Sequence, residues 1–232
     1  MLEVEGVTKR FGEVEALGGI GFQLRPNEIL GLIGPNGSGK TTLMEVVSGL
    51  LPTDSGSVHW EGSHLPPKKR KDIIFYLPDG VLPYEDQAAI KVLRLFAEIY
   101  ESPSQARKLA VEELGLGPVL GKRVGALSKG YRRRLLLALA LLSTQPVLFL
   151  DEPFDGFDVK QVIGVMSLLR KVKSTGRTLF LSIHQLHDAE RMCERLLLLS
   201  GGRLLGTGTL PDLRRQAGLE SGDLEEVFLA LT

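Results

Sequence analysis

Residues 29–50 constrain this chain more than any other stretch. Ile29-Leu30-Gly31-Leu32-Ile33 is followed by Gly34-Pro35-Asn36-Gly37-Ser38-Gly39-Lys40-Thr41-Thr42 and then by Leu43 to Leu50. An apolar run enters a glycine-rich turn, and a helical pattern leaves it. The turn fits G-x-x-x-x-G-K-[ST], the spacing of a phosphate-binding loop. Gly34, Gly37 and Gly39 permit positive φ and put no Cβ between backbone and anion. Successive N–H groups can then form a nest at a helix N-terminus, where the macrodipole favours negative charge. In such a loop Lys40 reaches the β- and γ-phosphates, and the Thr41 hydroxyl takes a place on Mg²⁺. The alternative is a glycine-rich loop that only turns a strand into a helix. The strand before it and the helix after it favour the phosphate loop.

A phosphate loop needs a second strand bearing a carboxylate. Val147-Leu148-Phe149-Leu150 is a continuous apolar run, as expected of a parallel strand covered on both faces. It ends in Asp151-Glu152-Pro153, at the strand edge where α/β ligands bind. Asp151 is therefore expected on the metal shell. Glu152, pointing the other way, is expected to polarise the attacking water. Taken alone, Asp-Glu-Pro would also suit a helix N-terminus. His184 follows the next buried run, Thr178 to Ser182. It reads equally as a surface histidine or as a group that holds a γ-phosphate and the water. Leu127-Ser128-Lys129-Gly130-Tyr131 opens a further helix. There Ser128 is either an ordinary N-cap or part of a second anion-binding helix end.

The rest of the pattern places these motifs. Residues 2 to 24 read as short strands around turn glycines, and Ser57 to Gly62 as a hairpin-like strand. Pro66-Pro67-Lys68-Lys69-Arg70-Lys71 reads as a solvated loop, with a lipid-headgroup contact as the alternative. Asp72 to Leu77 reads as a strand. Helical spacing then dominates over Gln87–Glu101, Ser104–Leu114 (with Ser104 as N-cap) and Ser128–Ser143. Residues 81–143 are thus expected to form a helical subdomain inserted into an α/β lobe made of 1–80 and 144–209. Residues 210–232 are expected to form a tail helix. Its stripe of Leu224, Val227, Phe228 and Leu231 packs on its own lobe or, alternatively, meets a partner.

Composition excludes some classes. The 28 Lys and Arg balance 28 Asp and Glu, so no global field argues for nucleic acid. Cys193 is the only cysteine, which leaves no intrachain disulfide and no cysteine-rich zinc site. Met1-Leu2-Glu3-Val4-Glu5 lacks the features of a signal peptide. The longest apolar run, Leu135 to Leu142, is eight residues, whereas a span takes about 20. A soluble chain that docks on a membrane protein is expected.

In order and spacing these motifs resemble the nucleotide-binding cassette of an ATP-binding cassette (ABC) transporter, over Leu2 to Thr209. The resemblance implies a P-loop NTPase core of α/β class. Its sheet would be mostly parallel, with an N-terminal antiparallel β subdomain and a helical insertion. It implies ATP and Mg²⁺ as ligands. Phe11 would stack on adenine, with Val14 and Ala16 lining the base, and Gly34 to Thr42 would hold the phosphates. Thr41, Asp79 and Asp151 would serve the metal; Glu152, His184 and Lys40 would be catalytic. Leu127 to Tyr131 resembles the signature usually written Leu-Ser-Gly-Gly-Gln. Ser128, Lys129 and Gly130 would touch ATP held by a second copy or a paralogue, bound head to tail. Phe154 to Asp158 resembles the dimer-contacting loop. Membrane subunits would be separate polypeptides, placing the chain in the cytoplasm, peripheral on the inner face of the membrane. Two departures stand out: Asp79 replaces the usual Gln, and the signature carries Lys129 and Tyr131. The signature and the Leu224–Leu231 tail resemble single-cassette exporters. The competing reading is a soluble ABC-type ATPase acting on ribosomes or DNA. A guanine-nucleotide switch would carry Asn-Lys-x-Asp, which is absent.

Overall fold

The computed structural model describes residues 1–81 and 84–232; Leu82 and Pro83, at the start of the expected helical insertion, lie outside them. Two long strands, β1 (Leu2–Phe11) and β2 (Val14–Leu24), pair antiparallel through the tight turn at Gly12. With β4 (Ser55–Trp60) and β5 (Ser63–His64) they form one sheet, ordered β2-β1-β4-β5. The short strands expected in residues 2–24 are therefore two long ones. Register shifts between Val4 and Val7, and again between Lys9 and Arg10, bend them without ending them.

The second sheet is ordered β10-β9-β3-β8-β7-β6. It contains β3 (Ile29–Ile33), β6 (Ile74–Leu77), β7 (Val147–Asp151), β8 (Thr178–Ser182), β9 (Arg195–Ser200) and β10 (Arg203–Gly208). All neighbours are parallel except β10, which pairs antiparallel with β9. Every residue of β3, β7 and β8 is buried, which is why these strands read as unbroken apolar runs.

Alternation along those strands divides two cores. Leu30, Leu32, Val147, Phe149 and Phe180 face the antiparallel sheet and α1 (Lys40–Ser48), whose Leu43, Met44, Val46 and Val47 are buried between the sheets. Phe180 stacks on Phe22 with ring centroids 5.3 Å apart and meets Phe149 edge-on at 4.9 Å. Ile29, Ile33, Leu148, Leu150, Leu179 and Leu181 face the other way, into the helices. Those are α3 (Ala89–Ile99), α4 (Ser104–Glu113), α5 (Lys129–Leu142), α6 (Val159–Ser174) and α7 (Leu186–Met192). Each large apolar side chain so buried contributes about 1.5–3 kcal/mol. Helix α4 begins at Ser104, but its N-cap is Pro103 and no side chain caps it.

The basic run departs from expectation. Pro67–Ile73 is a helix, α2, with proline in its first turn, and the following strand begins at Ile74. Lys68, Lys69 and Lys71 face solvent, but Arg70 is 2% exposed. Its Nη1 donates to the Val46 carbonyl at 2.7 Å, and its Nε to the Leu65 carbonyl at 3.1 Å. Burial pulls its pKa below the ordinary arginine value. The guanidinium ties α2 to the C-terminal turn of α1. Arg70→Ala is expected to lower the unfolding free energy by about 2–4 kcal/mol, from unpaired carbonyls and a cavity. Urea denaturation measures it; a loss below about 1 kcal/mol would deny Arg70 this role.

The C-terminal segment holds two helices rather than one, α8 (Leu210–Gln216) and α9 (Leu224–Leu231), each opened by a capping box, from Thr209 and Asp223. Leu224 and Val227 are buried in the same core as the parallel sheet, and Phe228 and Leu231 pack against it. This apolar stripe packs on its own lobe. Among the described residues, no helix is long and apolar enough to cross a membrane.

Candidate functional site

The site lies where β3, β8 and β7 end together. β8 is hydrogen-bonded between the other two, with Leu32 and Asp151 both opposite Ser182. Topology therefore carries the Gly34–Gly39 loop, which follows β3, to within reach of the carboxylate that ends β7.

The glycines of the loop serve different needs. Gly37 and Gly39 have φ of +80° and +103°, and Gly39 precedes the first turn of α1. Gly34 is not left-handed. It is glycine because a Cβ there would stand 2.1 Å from the Leu199 carbonyl oxygen and 2.6 Å from the Ser38 hydroxyl. The loop is further fixed by Gly202 N–H donating to the Ser38 carbonyl at 3.0 Å, and Gly18 N–H to Gly202 at 2.8 Å. The turn between β9 and β10 thus clamps the loop, a contribution no local motif announces.

Two groups in this loop lack the partners their burial calls for. Lys40 is 7% exposed, and among the described residues its Nζ donates only to the Gly34 and Pro35 carbonyls, at 2.8 and 3.1 Å. Desolvation lowers its pKa, opposed by the charges of Glu152 and Asp151. Ser38 Oγ is buried with no hydrogen-bond partner among the described residues. A buried ammonium on carbonyls and an orphaned hydroxyl, beside N–H groups at a helix start, fit a phosphate chain.

Asp151 is 3% exposed, and its partners among the described residues are all hydroxyls. Thr41 Oγ1 donates to its Oδ2 at 3.0 Å, Tyr76 to the same oxygen at 3.4 Å, and Ser182 to Oδ1. No cation pairs with it among the described residues. A buried carboxylate beside a hydroxyl is the oxygen donor set that suits a hard divalent cation such as Mg²⁺. Its charge is felt nearby. Burial first, then Asp151, pushes the Tyr76 phenol far above its ordinary range, and the same causes raise the Glu45 carboxyl. Tyr76 and the Ser182 hydroxyl were not singled out from sequence; the only signal is a polar residue near the end of an apolar strand.

Phe11, Val14 and Ala16 stand with Asn36, Gly37, Gly39, Lys40, Thr41, Thr42 and Glu152 around an open groove of about 450 Å³. Phe11 and Val14 remain 50% and 67% exposed, an apolar pair left uncovered beside the loop. Such a surface suits the face of a nucleobase.

Glu152 borders both this groove and a second cleft of about 420 Å³, shared with Phe154, Asp155, His184, His187 and Arg191. His184 is exposed there. Glu152 adopts φ +48°, unusual for a residue with a Cβ. Its N–H donates to the Ser182 carbonyl and hydroxyl at 3.2 and 2.9 Å. Asp158 caps α6 by accepting from Gln161 N–H at 2.9 Å.

Ser128 and Lys129 lie elsewhere. Ser128 caps α5, accepting from Tyr131 N–H at 3.4 Å, and is exposed, as is Lys129. Neither these two nor Gly130 lines the groove. Lys129 pairs with Asp155 at 2.8 Å, which raises the pKa of the lysine and lowers that of the aspartate. Asp79 meets Arg133, not the Thr41–Asp151 pair: Arg133 Nη1 stands 3.0 Å from its carboxylate.

Set beside known proteins, residues 17–155 match the profile of the family described as ABC transporter. A Bacillus subtilis relative, the linearmycin resistance ATP-binding protein LnrL, is 30% identical over 99% of this chain and 78% of its own length. The Nod factor export ATP-binding protein I of Paraburkholderia xenovorans is 32% identical over 89% of this chain and 70% of its own. A solved structure, an ATP binding subunit of an ABC transporter, superposes with a TM-score of 0.91 at 29% identity. That match covers 100% of this chain and 99% of the other.

Proposed function

The chain belongs to the ABC transporter family, and from that premise we propose how its residues divide the work of the cassette. It is an ATP-binding subunit whose hydrolysis of ATP powers a transporter. In the proposed division Phe11, with Val14 and Ala16, takes the adenine face. Gly34, Asn36, Gly37, Ser38, Gly39 and Thr42 wrap the phosphates with backbone and hydroxyl donors, and Pro35, which has no N–H to give, shapes the loop between them. Lys40 exchanges its two carbonyls for phosphate oxygens. Thr41 and Asp151 are the residues that would hold Mg²⁺, which when bound neutralises charge on the phosphate chain. Glu152 accepts a hydrogen bond from the attacking water and orients it in line with the γ-phosphorus, help of about 10²–10⁴ in rate. His184 steadies the same water from the other wall of the cleft.

The single observation that carries this reading is the buried Lys40 ammonium, held only by loop carbonyls within the field of Asp151 and Glu152. Ser128, Lys129 and Gly130 sit away from their own groove, at a helix start facing solvent. We assign them to nucleotide held by a second copy or a paralogous cassette, with ATP bridging the two chains. The partner beyond that is a separate membrane permease, met through the helical segment 81–143, which places the chain peripherally on the cytoplasmic face. Relatives named for linearmycin resistance and Nod factor export favour export over import. Isolation of the tagged chain from detergent extracts of its own host is expected to bring down a multi-span permease in equimolar amount. Recovery of ribosomal proteins or DNA instead would replace the transporter assignment with the soluble one.

A further inference from the structure

One buried cation in the site has a part that no motif describes. Arg133 lies one turn into α5 and is 6% exposed. One of its nitrogens, Nη2, donates to the Asp151 carbonyl at 3.1 Å and to the Glu152 carbonyl. The other, Nη1, meets the Asp79 carboxylate at 3.0 Å. Its Nε–H is buried and finds no partner among the described residues. The orientation of the guanidinium is thus set by its two forked ends, at the expense of the stem. A planar fork can bridge two elements in this way where an ammonium would act as a point charge.

What it grips matters more than how many bonds it makes. Glu152 is held at φ +48°, a left-handed conformation that is unfavourable for a side-chain-bearing residue and persists only where its surroundings impose it. Those surroundings are Ser182, which receives the Glu152 N–H, and two donors to the Glu152 carbonyl: Arg133 from helix α5 and, from within the same turn, the Asp155 N–H at 3.1 Å. The peptide groups on both sides of the Glu152 Cα are therefore fixed, and with them the direction in which its side chain leaves the backbone. Asp79, half exposed after β6, supplies the counter-charge that keeps the guanidinium in place.

We propose that Arg133 is a positioning residue for Glu152, clamping the backbone of Asp151 and Glu152 from helix α5, with Asp79 as its anchor. The clamp rests on the assignment of Glu152 to the attacking water. It also gives Asp79 a task other than metal binding. Because Ser128 caps the helix that carries Arg133, a displacement of the α5 N-terminus moves the clamp. Contacts made there by a second chain are in this way transmitted to Glu152 of the first.

The variant that keeps the packing is Arg133→Met. Its kcat for ATP hydrolysis is expected to fall by about tenfold or more, whereas the ATP dissociation constant measured by calorimetry stays within about threefold. Asp79→Asn is expected to lower kcat by about threefold, and the double variant to be no slower than Arg133→Met alone, because both act through one contact. A kcat within about twofold of wild type for folded Arg133→Met overturns the proposal, as does a parallel loss of ATP affinity. Should Arg133→Met fail to fold, Asp79→Asn decides by the same split of kcat against affinity. If Glu152→Gln stops turnover and neither clamp variant slows it, the clamp is wrong and the assignment of Glu152 stands. If Glu152→Gln hydrolyses ATP normally, the assignment itself is wrong.

Discussion

Glu152→Gln is expected to stop steady-state ATP turnover while leaving ATP bound and two chains held together by it. The substitution keeps the shape and the hydrogen-bonding reach of the side chain but removes the charge that accepts a proton from water. The rate is expected to drop by about 10²–10⁴. The groups assigned to binding stay in place: Phe11, the loop N–H groups and Thr41 are untouched, and Lys40 loses the support of the Glu152 charge but keeps that of Asp151. Removing a negative charge near the phosphates should, if anything, favour them. ATP that cannot be hydrolysed then remains between the two cassettes. Size-exclusion chromatography with ATP and Mg²⁺ reads this as a shift from monomer to dimer in the variant. A variant that elutes only as monomer under those conditions speaks against ATP as the bridge, and one that turns over at wild-type rate against Glu152 itself.

Lys40→Ala acts on the opposite term, affinity. The ammonium is already desolvated and already aimed at the loop, so little reorganisation is needed when phosphate replaces carbonyl. Charge-assisted hydrogen bonds of this kind contribute about 1.5–3 kcal/mol each. Losing one or two of them should weaken ATP binding by about 2–4 kcal/mol, or roughly 30- to 1,000-fold. Calorimetry with ATP measures it, and unchanged affinity would remove the phosphate assignment. The free protein should behave differently. Burial holds the folded-state pKa of Lys40 below 10.5, so the native state disfavours the charged form. That penalty is present at every pH below the lowered pKa and is relieved only as pH rises through it toward 10.5. Near neutral pH, relief of that penalty offsets part of what nucleotide-free Lys40→Ala loses with its two carbonyl partners, so its stability in urea should fall by less than its affinity for ATP. A protein that stores a penalty at its binding site and recovers it with ligand shows this unequal pairing of effects.

The positions of those two residues were legible because the patterns that mark them are local. Gly34 to Thr41 is a spacing, and Asp151-Glu152 ends an apolar run; both are recognised within ten residues of chain. The same applies to β3, β7 and β8, whose burial on both faces leaves no polar alternation to misread. The misreadings arose where one side chain breaks from its neighbours. Lys68, Lys69 and Lys71 are solvated as expected, but Arg70 turns inward, and nothing in a run of four cations says which one will. A proline opens the first turn of that helix, and another, Pro103, stands at the α4 N-cap that Ser104 was expected to fill.

The sequence by itself determined the class of the fold, the phosphate loop and the two carboxylates, because each depends on periodicity or spacing along the chain. Only the tertiary structure decided which groups those residues meet. That β8 lies between β3 and β7, bringing Ser182 and Thr41 to one carboxylate, is a matter of strand order. That Gly34 is glycine to clear the carbonyl of Leu199, far along the chain, is a matter of close approach. That Asp79 meets Arg133, 54 positions later, is a matter of how a helix packs on a sheet edge. Contacts of this sort form between residues distant in sequence, and their energies depend on burial and direction. Neither quantity exists until the chain has folded.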